Sequence, residues 1–288
     1  MILDEDYTLS NGVKIPKLGL GTWFIRNEKV SDAVRSAVAL GYRHIDTAEA
    51  YGNEEGVGEG VRTCGVPREK LFVTTKLAAE AKSYEKAVEA IDGSLKTLGL
   101  DYIDLMIIHS PQPWAMVNKS DDRCIEGNRE AWRALEEAYK AGKLRAIGIS
   151  NFLESDIDSL LETAEIMPLV NQLLVHVTNT PFDLIRHSEE KGMLVEAYSP
   201  MGHGVMMNHP KLLEMAERYG VNVAQLCIRY TLQLGTLPLP KTANPDHMRS
   251  NAAVDFEISE EDMKTLKEME KIKDYGKYAK YPVYGKVR

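Results

Sequence analysis

The stretch GYRHIDTAEAYGNEEGVGEG, residues 41–60, decides how the chain is read. Residues 43–45 form a short strand that ends on a carboxylate, Asp46. Tyr51 follows in a turn closed by Gly52 and Asn53, and an acidic helix begins directly after it. A capping aspartate and a rim tyrosine would explain one such strand end. They do not explain why the next strand ends on Lys76 and the one after it on His109. Asp, Tyr, Lys and His gathered at one mouth make a set suited to moving a proton.

Working outward, the same strand-then-helix unit recurs. Residues 6–15 alternate around Asn11-Gly12, a strong hairpin signal. Residues 17–21 give a first strand, and residues 28–40 carry Val30, Ala33, Val34, Ala37 and Val38 at helical spacing before Gly41 stops the helix. Strand 43–45 is followed by helix 54–63, strand 71–76 by helix 84–98, and strand 103–108 by helix 127–141. Strand 144–149 with helix 154–164 and strand 169–174 with helix 182–191 continue the series. Strand 194–198 precedes helices 210–219 and 222–234, strand 236–239 precedes helix 245–252, and residues 259–271 add a last helix. Short apolar strands alternating with helices, with no Pro- or Ser-rich linker, predict parallel βαβ units. A doubly wound sheet is the rival. Eight repeats fit a (β/α)8 TIM barrel better, within the α/β class. The expected organisation is one barrel domain over residues 1–288, with an N-terminal β-hairpin (1–16) and a C-terminal tail (272–288) over the mouth.

Composition narrows the partners. The chain has 288 residues, 44% of them hydrophobic, enough for a large core. A net charge of −8 argues against nucleic acid or an anionic membrane surface as partner. No apolar run approaches the roughly 18 residues of a membrane span, and the acidic N-terminus is unlike a leader. Cys64, Cys124 and Cys227 are odd in number and lack metal-ligand spacing, which favours a reducing, cytoplasmic setting. No metal is expected, and a monomer is the default.

In barrels of this kind chemistry collects at the C-terminal ends of the strands. Here those ends are Gly21-Thr22-Trp23, Asp46, Lys76, His109, Ser150-Asn151, Gln172, Tyr198-Ser199 and Lys241-Thr242, all polar or aromatic. At these residues the sequence resembles the aldo-keto reductase superfamily, in its bacterial-type form with a short cofactor loop. Residues 41–58 fit that family's signature, as do AIGISNF at 146–152, Asn171-Gln172, EAYSPMG at 196–202 and LPKT at 239–242. The resemblance runs from the hairpin to about Lys271. It implies reduction of aldehydes or ketones with a nicotinamide cofactor, and Asp46, Tyr51, Lys76 and His109 as the catalytic four. It further implies Ser150, Asn151 and Gln172 on the carboxamide, Tyr198 stacked on the nicotinamide, and Lys241, Thr242, His247 and Asn251 at the adenosine end. Gly21, Thr22, Ser199 and Met201 complete the expected cofactor contacts, and Trp23 and Trp114 join Tyr51 and His109 around a small-molecule carbonyl.

Elementary chemistry runs in parallel. Reduction of a carbonyl puts negative charge on its oxygen, which must be protonated as the charge grows. A phenol near pKa 10 is a weak acid at neutral pH, and an ammonium close by favours its phenolate. Tyr51 is therefore expected as general acid, Lys76 as its tuner, Asp46 as the anchor of Lys76, and neutral His109 as the group orienting the carbonyl.

Other features call for plainer readings. Gly56, Gly58 and Gly60 lack the G-x-G-x-x-G spacing and read as a glycine-rich helix. His203 and His209 have no partner at ligand spacing for zinc, and His176 reads as a loop histidine. Glu260, Glu261 and Asp262 after Ser259 read as a helix first turn. Tyr275, Tyr278, Tyr281 and Tyr284 mark the tail, with Tyr281 or Tyr284 as candidates to line the pocket. Two departures from the family pattern stand out. Ser110 follows His109 where tryptophan is usual, with Trp114 four positions on. His247 stands where arginine is usual; a titrating imidazole grips a phosphate less firmly than a guanidinium. NADPH is thus the expected cofactor, with its preference over NADH weakened at His247 and narrowing as imidazole loses its proton. A Schiff-base lyase using Lys76 and a catalytically silent cofactor-binding sensor are the alternatives.

Overall fold

The computed structural model describes residues 1–272, so the expected tail from residue 273 on, with Tyr275, Tyr278, Tyr281 and Tyr284, lies outside the described residues. Eight strands run parallel in one sheet, in sequence order: β3 (Gly19–Gly21), β4 (His44–Asp46), β5 (Phe72–Leu77), β6 (Ile103–Ile108), β7 (Leu144–Ser150), β8 (Val170–Leu174), β9 (Leu194–Tyr198) and β10 (Leu237–Leu239). The sheet closes on itself where Gly21 N–H donates to Pro240 O at 3.1 Å and Gly21 bridges to Lys241. This is the expected (β/α)8 barrel. Its helices are α1 (Asn27–Ala39), α2 (Glu54–Thr63), α3 (Tyr84–Leu98), α4 (Ile125–Lys140), α5 (Glu154–Leu161), α6 (Phe182–Glu190), α7 (Pro210–Arg218), α8 (Val223–Gln233), α9 (Pro245–Ala252) and α10 (Glu260–Lys267). The boundaries differ from the sequence expectation by a few residues. The largest differences are at α5, which ends at Leu161, and α10, which ends at Lys267. No helix among the described residues is long and apolar enough to cross a membrane.

The hairpin is β1 (Asp6–Thr8) paired antiparallel with β2 (Lys14–Pro16), turned at Gly12 with φ +86°. It closes the barrel floor. Its Leu9 and Ile15 pack into one buried cluster with Phe72, Leu105, Ala146, Leu169 and Leu237 from the strands. Asn11 fastens the turn from outside, donating to Arg145 O at 3.1 Å.

The two-residue period of the strands then places the chemistry. On β5, Val73 and Leu77 join the outer core against the helices, while Phe72 faces the barrel interior. Thr74 and Lys76 continue that inward row. On β6, Leu105 and Ile107 face in and His109 is the next step up. On β4 and β9 the inward rows are polar, His44 then Asp46 and Glu196 then Tyr198, aligned with their neighbours by the pairs Asp46↔Thr74 and Gln172↔Glu196. An apolar floor thus gives way upward to a buried polar layer.

The glycines read from the sequence as part of a helix lie in α2, where they serve close packing. A Cβ at Gly58 would overlap the carbonyl of Leu98, and one at Gly60 would sit 2.7 Å from Val34 Cβ. Gly93, on α3, has open space around it. Gly58→Ala should therefore lower stability by about 1–3 kcal/mol, the usual cost of forced overpacking. Gly93→Ala should raise it by up to about 1 kcal/mol through helix propensity. Denaturant midpoints of the two variants check both signs.

Candidate active site

At the C-terminal mouth of the strands lies a cavity of about 1130 Å³. Asp46 is the last residue of β4, and the chain turns through a single 3-10 turn (Glu49–Tyr51) that swings Tyr51 back over the mouth. Gly52, at φ +64°, ends that turn in a conformation that side chains disfavour. Asn53 fastens the loop: it accepts from Thr47 Oγ1 at 2.8 Å and donates to the carbonyls of Thr22 and Ile25.

Beneath Tyr51, the fully buried Lys76 Nζ donates to Asp46 Oδ1 at 2.6 Å and to Thr47 O at 2.7 Å. It stands 4.9 Å from the centre of the Tyr51 ring. Burial works against the ammonium, but Asp46 and Tyr51 outweigh it and hold the lysine pKa above its ordinary value. His109 faces Tyr51 edge-on, ring centres 5.7 Å apart, and burial followed by the charge of Lys76 holds its imidazole neutral. The Tyr51 phenol corrects one expectation. Burial is its largest influence and raises its pKa; Lys76 pulls it down without overcoming burial, so the net shift is upward. The ammonium moderates the rise in the phenol's pKa rather than bringing it below the ordinary tyrosine value.

Of the residues singled out from the sequence, Gly21, Thr22, Trp23, Asp46, Tyr51, His109, Trp114, Ser150, Asn151, Gln172, Tyr198, Ser199, Met201, Lys241, Thr242, His247 and Asn251 all line the cavity. Lys76 does not; it works from behind Asp46 and Tyr51. Around Tyr51 and His109 the walls are aromatic. Trp114 meets His109 edge-on at 5.0 Å, and Trp23 lies 6.3 Å from Tyr51 and stacks on Phe24 at 4.4 Å. The wall that tryptophan would supply at position 110 thus comes from Trp114.

A polar shelf follows. Ser150 Oγ donates to Gln172 O at 2.9 Å, Asn151 Nδ2 donates to His109 O and to Ser150 Oγ, and Tyr198 OH donates to Asn151 Oδ1 at 2.7 Å. Further out come Lys241, Thr242, His247 and Asn251. Arg249 does not replace the missing arginine, since it pairs with Asp246 at 2.9 Å and does not line the cavity.

Several cavity residues escaped the sequence reading. His203, set aside as a zinc ligand, meets Trp23 edge-on at 5.0 Å. Asn222, the N-cap of α8, faces the outer lobe and donates to Ser250 Oγ at 2.7 Å. The capping pattern at Asn222 was readable, but nothing in it tells which cavity the helix start faces. Below the shelf, Gln172 Nε2 donates to Asp46 Oδ2 at 3.0 Å and to Glu196 Oε2 at 2.8 Å. Glu196 and His44 are both fully buried there. The period of two that places Asp46 and Tyr198 also places His44 and Glu196 on the same rows, a signal present in the sequence. His176, a loop histidine as expected, is buried with its ring 3.2 Å from Thr178 Oγ1. Among the described residues no group of three or more His, Cys, Asp or Glu is placed to hold a metal ion.

A cavity of this size, lined by Asp46, Tyr51 and His109 at one end and by Lys241 and His247 at another, with a polar shelf between, suits a dinucleotide laid along it. The comparisons with known proteins agree. The aldo/keto reductase family model matches residues 17–271. A glyoxal reductase of Bacillus subtilis is 40% identical over 93% of this chain and 94% of its own length. An uncharacterized oxidoreductase, YtbE, of the same organism is 41% identical, with 92% of each chain covered. Among solved structures, a Bombyx mori aldo-keto reductase in complex with NADP superposes with a TM-score of 0.83 at 34% identity, over 97% of this chain and 98% of that one. With the family model spanning the whole barrel, and relatives at this identity along nearly their full length, the chain belongs to the aldo/keto reductase family.

Proposed function

We propose that this protein is an NADPH-dependent reductase of small aldehydes or ketones, a cytoplasmic, single-domain monomer in which Tyr51 is the general acid. Carbonyl reduction is the family's chemistry, and a small-molecule carbonyl is the substrate class that fits it. The observation that carries the finer reading is the buried Lys76–Asp46 pair at 2.6 Å beneath Tyr51, with neutral His109 across the mouth.

Bound along the cavity, a reduced nicotinamide supplies the reducing equivalents, and the chain supplies position and field. Ser150, Asn151 and Gln172 are the groups for its carboxamide, and Tyr198 is the flat surface beside it. Gly21, Thr22, Ser199 and Met201 border its path. Lys241, Thr242, His247 and Asn251 are set for the adenosine end. The carbonyl oxygen sits between Tyr51 and His109, among the walls of Trp23 and Trp114. His109, uncharged, donates one hydrogen bond and fixes the oxygen without competing as an acid. As charge grows on that oxygen, the Tyr51 hydroxyl gives up its proton, and the resulting phenolate is stabilised by Lys76. Asp46 holds the ammonium where it does this and keeps the buried charge balanced.

The lyase alternative fares worse on geometry. A Schiff-base lysine has to reach substrate as a free amine. Lys76 is fully buried, ion-paired, held protonated, and absent from the cavity lining. The silent-sensor alternative is disfavoured by the complete set of four in working proximity.

Three outcomes test the reading. Tyr51→Phe should keep the fold and cofactor affinity while losing about 10²–10⁴-fold in turnover, the range a positioned general acid contributes. Cofactor titration beside steady-state kinetics checks this, and near-wild-type turnover would remove Tyr51 from the role. Lys76→Met should depress kcat at saturating cofactor, whereas Lys241→Met should mainly raise the KM for NADPH; equal losses of kcat would contradict this division of labour. His247→Arg should widen the NADPH-over-NADH ratio of kcat/KM, because a guanidinium fork grips a 2′-phosphate more firmly than an imidazole. An unchanged ratio would leave Lys241 as the selecting cation.

A further inference from the structure

Glu196 has no part in the chemistry described so far, yet it is fully buried at the centre of the barrel. It faces inward from β9, two residues before Tyr198. Gln172, its neighbour on β8, spends both hydrogens of its amide nitrogen downward, one on Asp46 Oδ2 at 3.0 Å and one on Glu196 Oε2 at 2.8 Å. We propose that Glu196 is a positioning residue for the reduction, fixing the Gln172 amide from below so that its carbonyl oxygen faces the cofactor carboxamide.

This inference rests on the reading of Gln172 as a carboxamide contact. An amide can turn over, and the two orientations present opposite faces to a ligand. Turned over, Gln172 would aim its oxygen at the ionised Asp46 carboxylate, which has no hydrogen to give, and forfeit that bond. Asp46 takes one of the two hydrogens and selects the orientation; Glu196 accepts the other and holds the amide in it. The carboxamide of a nicotinamide offers an NH2 group, and the upward oxygen of Gln172 is its acceptor.

Burial also favours the uncharged form of Glu196. The groups facing it are His44 and Asp46 from β4, Lys76 from β5 and Gln172 from β8. His44 Nε2 lies 3.9 Å from Glu196 Oε1, beyond hydrogen-bond reach, and bonds Thr74 Oγ1 at 3.0 Å instead. Burial and the charge of Lys76 hold His44 neutral, at about 3. Lys76 is already matched by Asp46. Burial, followed by the charge of Asp46, pushes the Glu196 carboxyl up to about 8, so below that pH it carries a proton and the polar layer is neutral in sum. Above it a second anion appears under Lys76. That anion stabilises the ammonium, opposes phenolate formation at Tyr51, and weakens the acid that reduction needs.

A carboxyl raised from the unfolded range to about 8 binds its proton more tightly when folded. Its contribution to stability is present at pH 5 and is lost as the pH climbs toward and through 8. Glu196→Gln, which mimics the protonated acid and keeps an acceptor for Gln172, carries no such loss.

The test compares wild type, Glu196→Gln and Glu196→Met. In the cofactor-free proteins, melting temperatures between pH 5 and pH 8.5 should show Glu196→Gln gaining on wild type as pH rises. Parallel curves would overturn the neutral-carboxyl assignment. In steady-state reduction at pH 6.5, Glu196→Met should lose about tenfold or more in kcat, as expected when a reacting pair is held less well, with little change in cofactor affinity. Glu196→Gln should rescue that loss and flatten the wild-type decline between pH 7 and pH 9. Wild-type kcat in a folded Glu196→Met, or an alkaline decline unchanged in Glu196→Gln, would overturn the proposal. Absence of carbonyl-dependent NADPH oxidation in wild type would instead overturn the reductase reading on which it rests.

Discussion

An ammonium buried in the interior of a protein has to be matched, because leaving it unpaired costs several kcal/mol even after relaxation. Lys76 is such a group, and the centre of this barrel is organised around matching it. Asp46 Oδ1 takes one of its hydrogens and the carbonyl of Thr47 another. The second oxygen of Asp46 is held by Gln172. In a ring of eight strands, β4 and β8 stand four apart, so this chain of bonds crosses the barrel from one wall to the other. The pair is therefore both the electrostatic source beneath Tyr51 and a cross-brace of the fold.

In the proposed reading, the labour divides along the chain. The four proton-handling residues come from β4, β5 and β6 and the turns that follow them. The groups for the cofactor come mostly from β7 to α9. The halves meet below the mouth where Gln172 bonds Asp46, and at the mouth where Tyr198 bonds Asn151 and Asn151 bonds the carbonyl of His109. That short path makes the orientation of the shelf sensitive to the strand carrying His109.

Much of this was legible from local pattern. The strands show as short apolar runs, the helices as 3.6-period stripes, and the polar strand ends as a row at one mouth, since all eight strands share a direction. Element ends were less legible: α5 stops at Leu161 and α10 at Lys267, where the apolar spacing alone would carry a helix further. Long-range placement was not legible at all. Nothing local to Asn222 tells that its helix start faces the cavity, because that depends on packing between segments far apart in sequence; His203 sits in the loop after β9, at the mouth by position, but its contact with Trp23 was not readable. The raised phenol of Tyr51 was missed for a related reason. A charged neighbour can be read from a motif, whereas the depth of burial that opposes it is a property of the assembled barrel.

The closure of the sheet between Gly21 and Pro240 carries a consequence for how the molecule is made. The first and last barrel strands are separated by more than two hundred residues, so the ring is sealed by one of the least local pairings in the chain. During synthesis β3 waits as an unpaired edge until β10 has been translated, and an open edge is a template for pairing with other chains. That edge is only three residues long and begins and ends on glycine. A strand so brief offers little to a stray partner, while Gly21 has no side chain to obstruct the backbone of Leu239 when the seam finally closes, with its carbonyl 3.1 Å from where a Cβ would stand.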